Sequence, residues 1–178
     1  MNTIRLFFAA GFLLFVVSGT RAADPRELFM QIPSPRLDNV ARADAIRESA
    51  NGFLKFGLAP DFTGEFKILK EKKDVVIVGL SLYSCAESTL EIWSLKNGRW
   101  QEITASAAPQ LGAKDVVEML KVSPATVEKL GTEVAIPYFF TFAADENSLR
   151  LVVRKQSSCE IAGPVHDYRF EEKKFVRR

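Results

Sequence analysis

The amino-acid sequence predicts an α+β fold that is a tandem duplication of a helix-loop-helix plus four-stranded antiparallel sheet unit. Three observations predict it: each half of the chain begins with helix signals, short strand patterns separated by turn residues follow, and the two halves match at a fixed offset. We expect a signal peptide at residues 1–22, a first repeat at 23–104 and a second repeat at 105–178. Together the repeats have the size of one compact domain.

The first segment has the three parts of a secretory signal peptide. Arg5 lies in a polar start, an apolar run extends from Leu6 to Val17, and small residues precede Ala22. The run is shorter than the roughly 20 residues that a helix needs to cross a bilayer. We therefore expect cleavage after Ala22 and a mature chain without a transmembrane anchor, located in the bacterial periplasm or secreted.

The charge of the mature chain argues against nucleic acid as a partner. The signal peptide carries two basic residues and no acidic one, so 22 basic and 22 acidic residues remain. A nucleic-acid-binding protein needs a basic excess to displace counterions, and the mature chain has none overall. We also expect no cofactor, because the sequence has no glycine-rich phosphate loop and too few histidines and cysteines for a zinc site.

Cys85 and Cys159 are the only cysteines. An even pair in an oxidising compartment usually forms a disulfide, and we predict one here. Two free buried thiols and a redox pair are the alternatives, although the C-x-x-C spacing typical of redox pairs is absent. The bond would close a loop of 74 residues, which stabilises a fold by about 4 kcal/mol in the chain-entropy model.

The elements of the first repeat follow from local patterns. Asp24 as N-cap, with Pro25 in the first turn, predicts a helix to Gln31. Apolar residues at three- and four-residue steps from Val40 to Phe53 predict a second helix. Strand patterns follow at 66–69, 75–83, 89–95 and 99–104, the last two joined by a tight Asn-Gly hairpin turn at 97–98.

The second repeat shows the same order of elements. Helix patterns occupy 113–121 and 124–130, and strand patterns occupy 135–143, 149–155, 166–170 and 174–177. An offset of 74 positions gives seven identities over 37 gapless positions, against about two or three expected from ordinary composition. A one-residue gap after the cysteines then places Trp93 opposite Tyr168 and Trp100 opposite Phe175.

Four groups of short motifs resemble a known family: Arg26-Glu27-Leu28-Phe29 with Ile32-Pro33, the run 87–93, the run 145–149, and Tyr168-Arg169-Phe170 before Lys174-Phe175-Val176. They are similar to motifs of an uncharacterised family of exported Bacteroidales proteins, known only as a domain of unknown function. The layout resembles the β-lactamase inhibitory protein fold. That resemblance implies protein binding through a concave sheet face, and the family offers no catalytic residue to carry over.

The candidate binding residues are four aromatic side chains of the kind that dominate protein interfaces: Tyr83, Trp93, Trp100 and Tyr168. Packing in the core is the alternative for each of them. His166, the only histidine, has no nucleophile in a recognisable pattern, so an ordinary strand histidine is favoured over a catalytic base. We predict a non-enzymatic module that binds an unidentified protein; a carrier of a small apolar ligand or lipid is the alternative.

Overall fold

Two antiparallel sheets and several short helices form the structure, a computed structural model that describes residues 22–38, 40–59, 62–121, 138–154 and 160–178. Most of these residues are in strands, so the coarse prediction of helices combined with antiparallel sheets is confirmed, in a chain that is mainly β. The predicted helix at 124–130 lies outside the described residues.

The first sheet has six strands in the order of the sequence. They are β1 (Ile46–Ala50), β2 (Phe53–Ala59), β3 (Phe62–Lys72), β4 (Val75–Tyr83), β5 (Ser88–Lys96) and β6 (Arg99–Glu102). The range of β4 is the predicted one, because its almost continuous apolar sequence suits a central strand that is buried on both faces. The Asn97–Gly98 turn between β5 and β6 is also confirmed, since both residues have positive φ angles, 50° and 73°.

The helix predicted from Val40 to Phe53 is wrong. A short helix, α2 (Arg42–Ala45), ends at the start of β1, and Phe53 begins β2. Asn51 and Gly52 between the strands have φ angles of 50° and 73°, the same values as in the other Asn-Gly turn. This tight turn reverses the chain, and it gives the first unit six strands instead of the predicted four.

The second sheet has four strands, again in the order of the sequence. They are β7 (Tyr138–Phe142), β8 (Ser148–Arg154), β9 (Ile161–Glu171) and β10 (Lys174–Arg177). The range of β10 is as predicted, but β9 begins five positions before the predicted start at 166. Gly163 and Pro164 lie within β9, where two register irregularities between β8 and β9 accommodate them.

The remaining helices are short: α1 (Pro25–Gln31), a 3-10 turn (Pro35–Leu37), α3 (Thr104–Ala107) and α4 (Ala113–Leu120). The predicted cap of α1 is confirmed, because the Asp24 side chain accepts a hydrogen bond from the backbone nitrogen of Arg26. The predicted helix at 113–121 is likewise confirmed as α4. None of the helices among the described residues is long and apolar enough to cross a membrane.

Two hydrophobic cores lie on opposite faces of the six-stranded sheet. The helix-side core contains residues of α1 and of alternate sheet positions, among them Leu28, Phe29, Leu54, Phe56, Phe66, Val78, Leu80 and Trp93. The sheet-side core contains the other alternate positions and the inner face of the four-stranded sheet, among them Leu69, Ile77, Ile92, Phe140, Phe142, Leu149, Leu151 and Tyr168. The chain is therefore arranged as a helix layer, a six-stranded sheet and a four-stranded sheet.

Candidate functional site

Two of the four predicted binding residues lie in the interior. The Trp93 side chain belongs to the helix-side core, with 8% of the residue exposed, and its Nε1 donates to Oε2 of Glu91 at 2.9 Å. Tyr168 belongs to the sheet-side core on β9 and is 5% exposed. Both rings therefore stabilise the fold through buried apolar area.

The other two predicted residues are only partly buried. Trp100 lies on the edge strand β6 and packs against the margin of the helix-side core. Tyr83 stacks on Phe139 with ring centroids 4.4 Å apart, and the Arg154 guanidinium lies 4.5 Å from the Phe139 ring centroid. The structure does not bring the four aromatic residues together in one patch, and their role in binding stays a prediction.

The predicted disulfide has one cysteine within the described residues. Cys85 lies in the turn between β4 and β5, where Ser84 Oγ accepts hydrogen bonds from the backbone nitrogens of Ala86 and Glu87. Cys159 lies outside the described residues, so the pairing stays a prediction. Arg154, five positions before Cys159 in sequence, donates to the carbonyl oxygen of Ser84 and therefore reaches the immediate neighbour of Cys85.

A buried carboxylate joins the two sheets. Glu65 lies on β3, is 4% exposed and faces β7. Its Oε1 accepts from the Tyr83 hydroxyl at 2.7 Å, its Oε2 accepts from the backbone nitrogen of Phe142 at 2.7 Å, and the Thr141 hydroxyl lies 2.9 Å from both oxygens. These donors satisfy a carboxylate that would otherwise be costly to bury.

Two further polar side chains of the six-stranded sheet reach β7 and the turn that follows it. Ser81, the cross-strand partner of Glu65, donates from Oγ to the carbonyl oxygen of Phe140 at 2.5 Å. Lys67 is 2% exposed, and its Nζ donates to the carbonyl oxygens of Asn51 and Ala144 at 3.2 and 2.7 Å. Side chains thus supply the hydrogen bonds that a neighbouring strand would give to the edge of β7.

Burial changes the acid–base properties of this junction. It raises the pKa of the Glu65 carboxyl above its ordinary value, although the hydrogen bonds from Phe142, Tyr83 and Thr141 oppose the shift. Burial and the neighbouring Glu65 carboxylate raise the pKa of Tyr83. Burial lowers the pKa of the Lys67 ammonium, and Asp145 opposes that shift. The junction lies between two packed sheets, where these groups stabilise the fold.

His166 lies in a second polar cluster, on the inner face of β9. Its side chain is 2% exposed, and its Nε2 lies 3.2 Å from Asp115 Oδ1 and 3.4 Å from Glu118 Oε2 of α4. Arg177 contacts the same two carboxylates, with Nη1 3.2 Å from Asp115 and Nη2 3.0 Å from Glu118. Arg177 therefore fastens α4 to β10, and His166 Nε2 lies close to the same two carboxylates without a hydrogen bond. No group of potential metal ligands was found among the described residues.

An open groove of about 580 Å³ lies next to this cluster. Apolar and polar residues share its walls: Ala108, Pro109, Tyr168, Phe175 and Val176 with Ser106, Gln110, Asp115, Lys174 and Arg177. Burial and the Asp115 charge raise the pKa of the Tyr168 hydroxyl, which keeps it in its neutral form. The groove could accept a small molecule with an apolar part.

Part of the side of the four-stranded sheet that faces away from the sheet-side core is exposed, whereas Phe139 and Val152 on that side are buried. We term the exposed part the outer face and define it by Arg150, Asp167, Arg169 and Val176. Cross-strand pairing places Arg150 opposite Asp167, and Arg169 opposite Val176. Arg150 Nε lies 3.0 Å from Asp167 Oδ1, and these two side chains are 54% and 51% exposed. Val176 is 38% exposed and contributes apolar area to this face.

Comparisons with protein-family models, with curated proteins and with solved structures found no match to this chain. The resemblance to the exported Bacteroidales family and to the β-lactamase inhibitory protein layout therefore stays a prediction.

Sequence reasoning missed the Glu65 junction and the outer face. A signal for the junction is present in β3, where Glu65 and Lys67 interrupt a strand that is otherwise buried on that side. Charges at alternate positions of a central strand indicate a polar contact between layers. The outer face is visible as charged residues alternating with apolar ones in β8 and β9, which is typical of a sheet with one solvated side.

Proposed function

We propose that this chain is a non-enzymatic, exported protein-binding module whose outer face contacts an acidic surface of another protein. The observation that carries the proposal is the composition of the outer face: two arginines, one aspartate and a half-exposed valine lie together on adjacent strands. Both faces of the six-stranded sheet carry hydrophobic cores, so it is the four-stranded sheet that offers a face to a partner.

The charge of the outer face favours an acidic partner. Asp167 offsets Arg150, with which it forms an ion pair, whereas no hydrogen bond or ion pair to the Arg169 side chain was found among the described residues. Arginine is enriched at protein interfaces because its planar group forms bidentate hydrogen bonds with carboxylates. Val176 beside Arg169 adds apolar area that a partner would remove from water.

The proposal also includes export of the chain and an internal duplication. Export is supported by the leader pattern at 1–22. Duplication is supported by strand order and register: Trp93 pairs with Glu102 between β5 and β6, and Tyr168 pairs with Arg177 between β9 and β10. One offset of 75 positions relates both pairs, which supports a correspondence between the β5–β6 and β9–β10 hairpins.

The test is affinity capture from an envelope extract of the source organism with the mature chain as bait. Arg169→Glu combined with Val176→Ser changes the outer face, and Arg26→Glu is the matched control because Arg26 is exposed on α1. We expect a partner that the wild type and the control retain and that the outer-face variant loses, with all three baits equally folded. Equal capture by all three baits, or capture by none, would contradict the proposal.

A carrier of an apolar ligand is the second candidate, and the groove beside Tyr168 and Phe175 favours it. Native mass spectrometry of protein purified from its own organism distinguishes the two classes. A stoichiometric small molecule that is lost in Phe175→Ser would support a carrier. Protein that carries no such molecule and captures a partner through the outer face would support the binding module.

A further inference from the structure

The first described residues make a specific contact with the six-stranded sheet. The backbone nitrogen of Ala23 donates a hydrogen bond to Oε1 of Glu71 at 2.9 Å. Glu71 lies near the end of β3, 48 positions away in sequence, and Ala22 is exposed. The contact therefore connects the start of the described chain to the β3–β4 hairpin.

The chain that follows this nitrogen is held at two points. Asp24, the next residue, caps α1 by accepting a hydrogen bond from the backbone nitrogen of Arg26. The Ala23 side chain packs at the margin of the helix-side core. Because Ala23 and Asp24 are both held, the Ala23 nitrogen has a defined position beside the Glu71 carboxylate.

We propose that Glu71 binds the α-ammonium group that cleavage between Ala22 and Ala23 creates. The cleavage is a hydrolysis by an export-linked protease: water adds across the peptide bond, Ala22 leaves with a carboxylate, and the Ala23 nitrogen becomes an ammonium group. A neutral amide with one N–H is thereby replaced by a positive group with three. The same 2.9 Å contact then becomes a charge-assisted hydrogen bond.

The contact distinguishes one cleavage position from its neighbours. Cleavage after Ala23 would remove the nitrogen that Glu71 contacts. Cleavage before Ala22 would leave that nitrogen as an uncharged amide and place the new charge elsewhere. The leader pattern, in which small residues precede the predicted cut after Ala22, agrees with the one position that turns this contact into an ion pair.

The inference rests on the proposed export of the chain and is independent of its partner. An α-amino group has an ordinary pKa of about 7.7–8.0, so near neutral pH it exchanges between charged and uncharged forms. A carboxylate at hydrogen-bond distance favours the charged form. Since Glu71 is exposed, solvent screening keeps the effect small, and the measurement must detect a shift of a few tenths in pKa.

The experiment uses the full chain, expressed with its leader in a Gram-negative host and purified from the periplasm. Intact mass and amino-terminal sequencing give the first residue, which we expect to be Ala23. An NMR titration of the Ala23 chemical shifts then gives the α-amino pKa in the wild type, in Glu71→Gln and in the control Glu48→Gln. Glu48 is an exposed acid on β1 of the same sheet.

We expect the α-amino pKa in the wild type and in the control to exceed that in Glu71→Gln by about 0.2–0.7. An α-amino pKa that Glu71→Gln leaves unchanged, with Ala23 as the first residue, would overturn the role of Glu71 alone. A chain that begins at another residue would overturn the cleavage position. A chain retained in the cytoplasm with residues 1–22 intact would overturn export itself.

Discussion

The carboxylate of Glu65 accepts a hydrogen bond from the backbone nitrogen of Phe142 at 2.7 Å, across the junction of the two sheets. The residues are 77 positions apart, and the nitrogen belongs to the free edge of β7. A side chain of one sheet therefore takes the place of a strand partner for the other. This relationship explains why a charged residue is kept inside a central strand.

Two substitutions of Glu65 distinguish the contribution of its hydrogen bonds to stability from the contribution of its charge. Glu65→Ala leaves the Phe142 N–H and the hydroxyls of Tyr83 and Thr141 without their buried acceptor, and we expect the free energy of unfolding to fall by about 2–4 kcal/mol. Glu65→Gln keeps an oxygen for Phe142 and offers an N–H to the hydroxyl oxygens, so its loss should be below about 1 kcal/mol near neutral pH. Urea unfolding at fixed pH measures both variants.

The same residue predicts a pH dependence. Burial raises the folded-state pKa of Glu65 above that of the unfolded chain, so its contribution to stability is fully present below the unfolded pKa, about 4.3, and is lost as pH rises through the folded pKa. We therefore expect the unfolding free energy of the wild type, relative to Glu65→Gln, to decrease from pH 4 toward neutral pH. A difference that stays constant or increases over this range would contradict the prediction.

Gly79 permits the close approach of β7 to the six-stranded sheet. A Cβ atom at this position would lie 2.4 Å from Cζ and 2.8 Å from Cε1 of Phe142, whose ring is buried in the sheet-side core. We expect Gly79→Ala to lower the free energy of unfolding by about 1–3 kcal/mol through overpacking. Gly79→Ala with Phe142→Leu should cost less than the sum of the two single changes, and a double-mutant cycle measures that coupling.

The predicted disulfide can be tested without its structure. Cys85→Ser should lower the free energy of unfolding by about 4 kcal/mol if the bond to Cys159 closes the 74-residue loop. Cys159→Ser and the double variant should lose the same amount, because each removes the same bond. A thiol assay of the unfolded wild type should find no free thiol before reduction. Two titratable thiols would rule the bond out.

The sequence predicted those elements whose signal is local. The continuous β-branched and apolar run from Val75 to Tyr83 defines β4, and Asn97–Gly98 defines a tight turn. Asn51–Gly52 is the same turn pattern. The apolar residues around it have the three- and four-residue spacing of a helix, so the sequence predicts a helix there instead of a turn. Tertiary pairing of the neighbouring segments decides between two such patterns, and a single sequence does not contain that information directly.

The candidate sites were less predictable because they depend on contacts between distant strands. The hydrogen bonds between Thr141 and Glu65 span 76 positions, and the hydrogen bond between Lys67 and Ala144 spans 77. An aromatic residue in a strand lies on one of the two faces of its sheet, and the sequence spacing does not show which face packs against another layer. Ile92 and Trp93 illustrate this, since they enter opposite cores and both are buried.

The last prediction concerns Trp93. A buried ring at this position stabilises the fold, whereas a ring that binds a partner would be exposed. Trp93→Ala removes a buried ring and leaves the Glu91 carboxylate without its indole donor, so the free energy of unfolding should fall by about 3–5 kcal/mol. Trp93→Phe retains most of the apolar volume and should cost less, whereas Trp100→Ala on the half-exposed edge strand is the matched control with a smaller loss. Urea unfolding followed by far-ultraviolet circular dichroism measures all three. A loss for Trp93→Ala below about 0.5 kcal/mol, the usual range of surface substitutions, would place this ring at the surface and return it to the candidate binding residues.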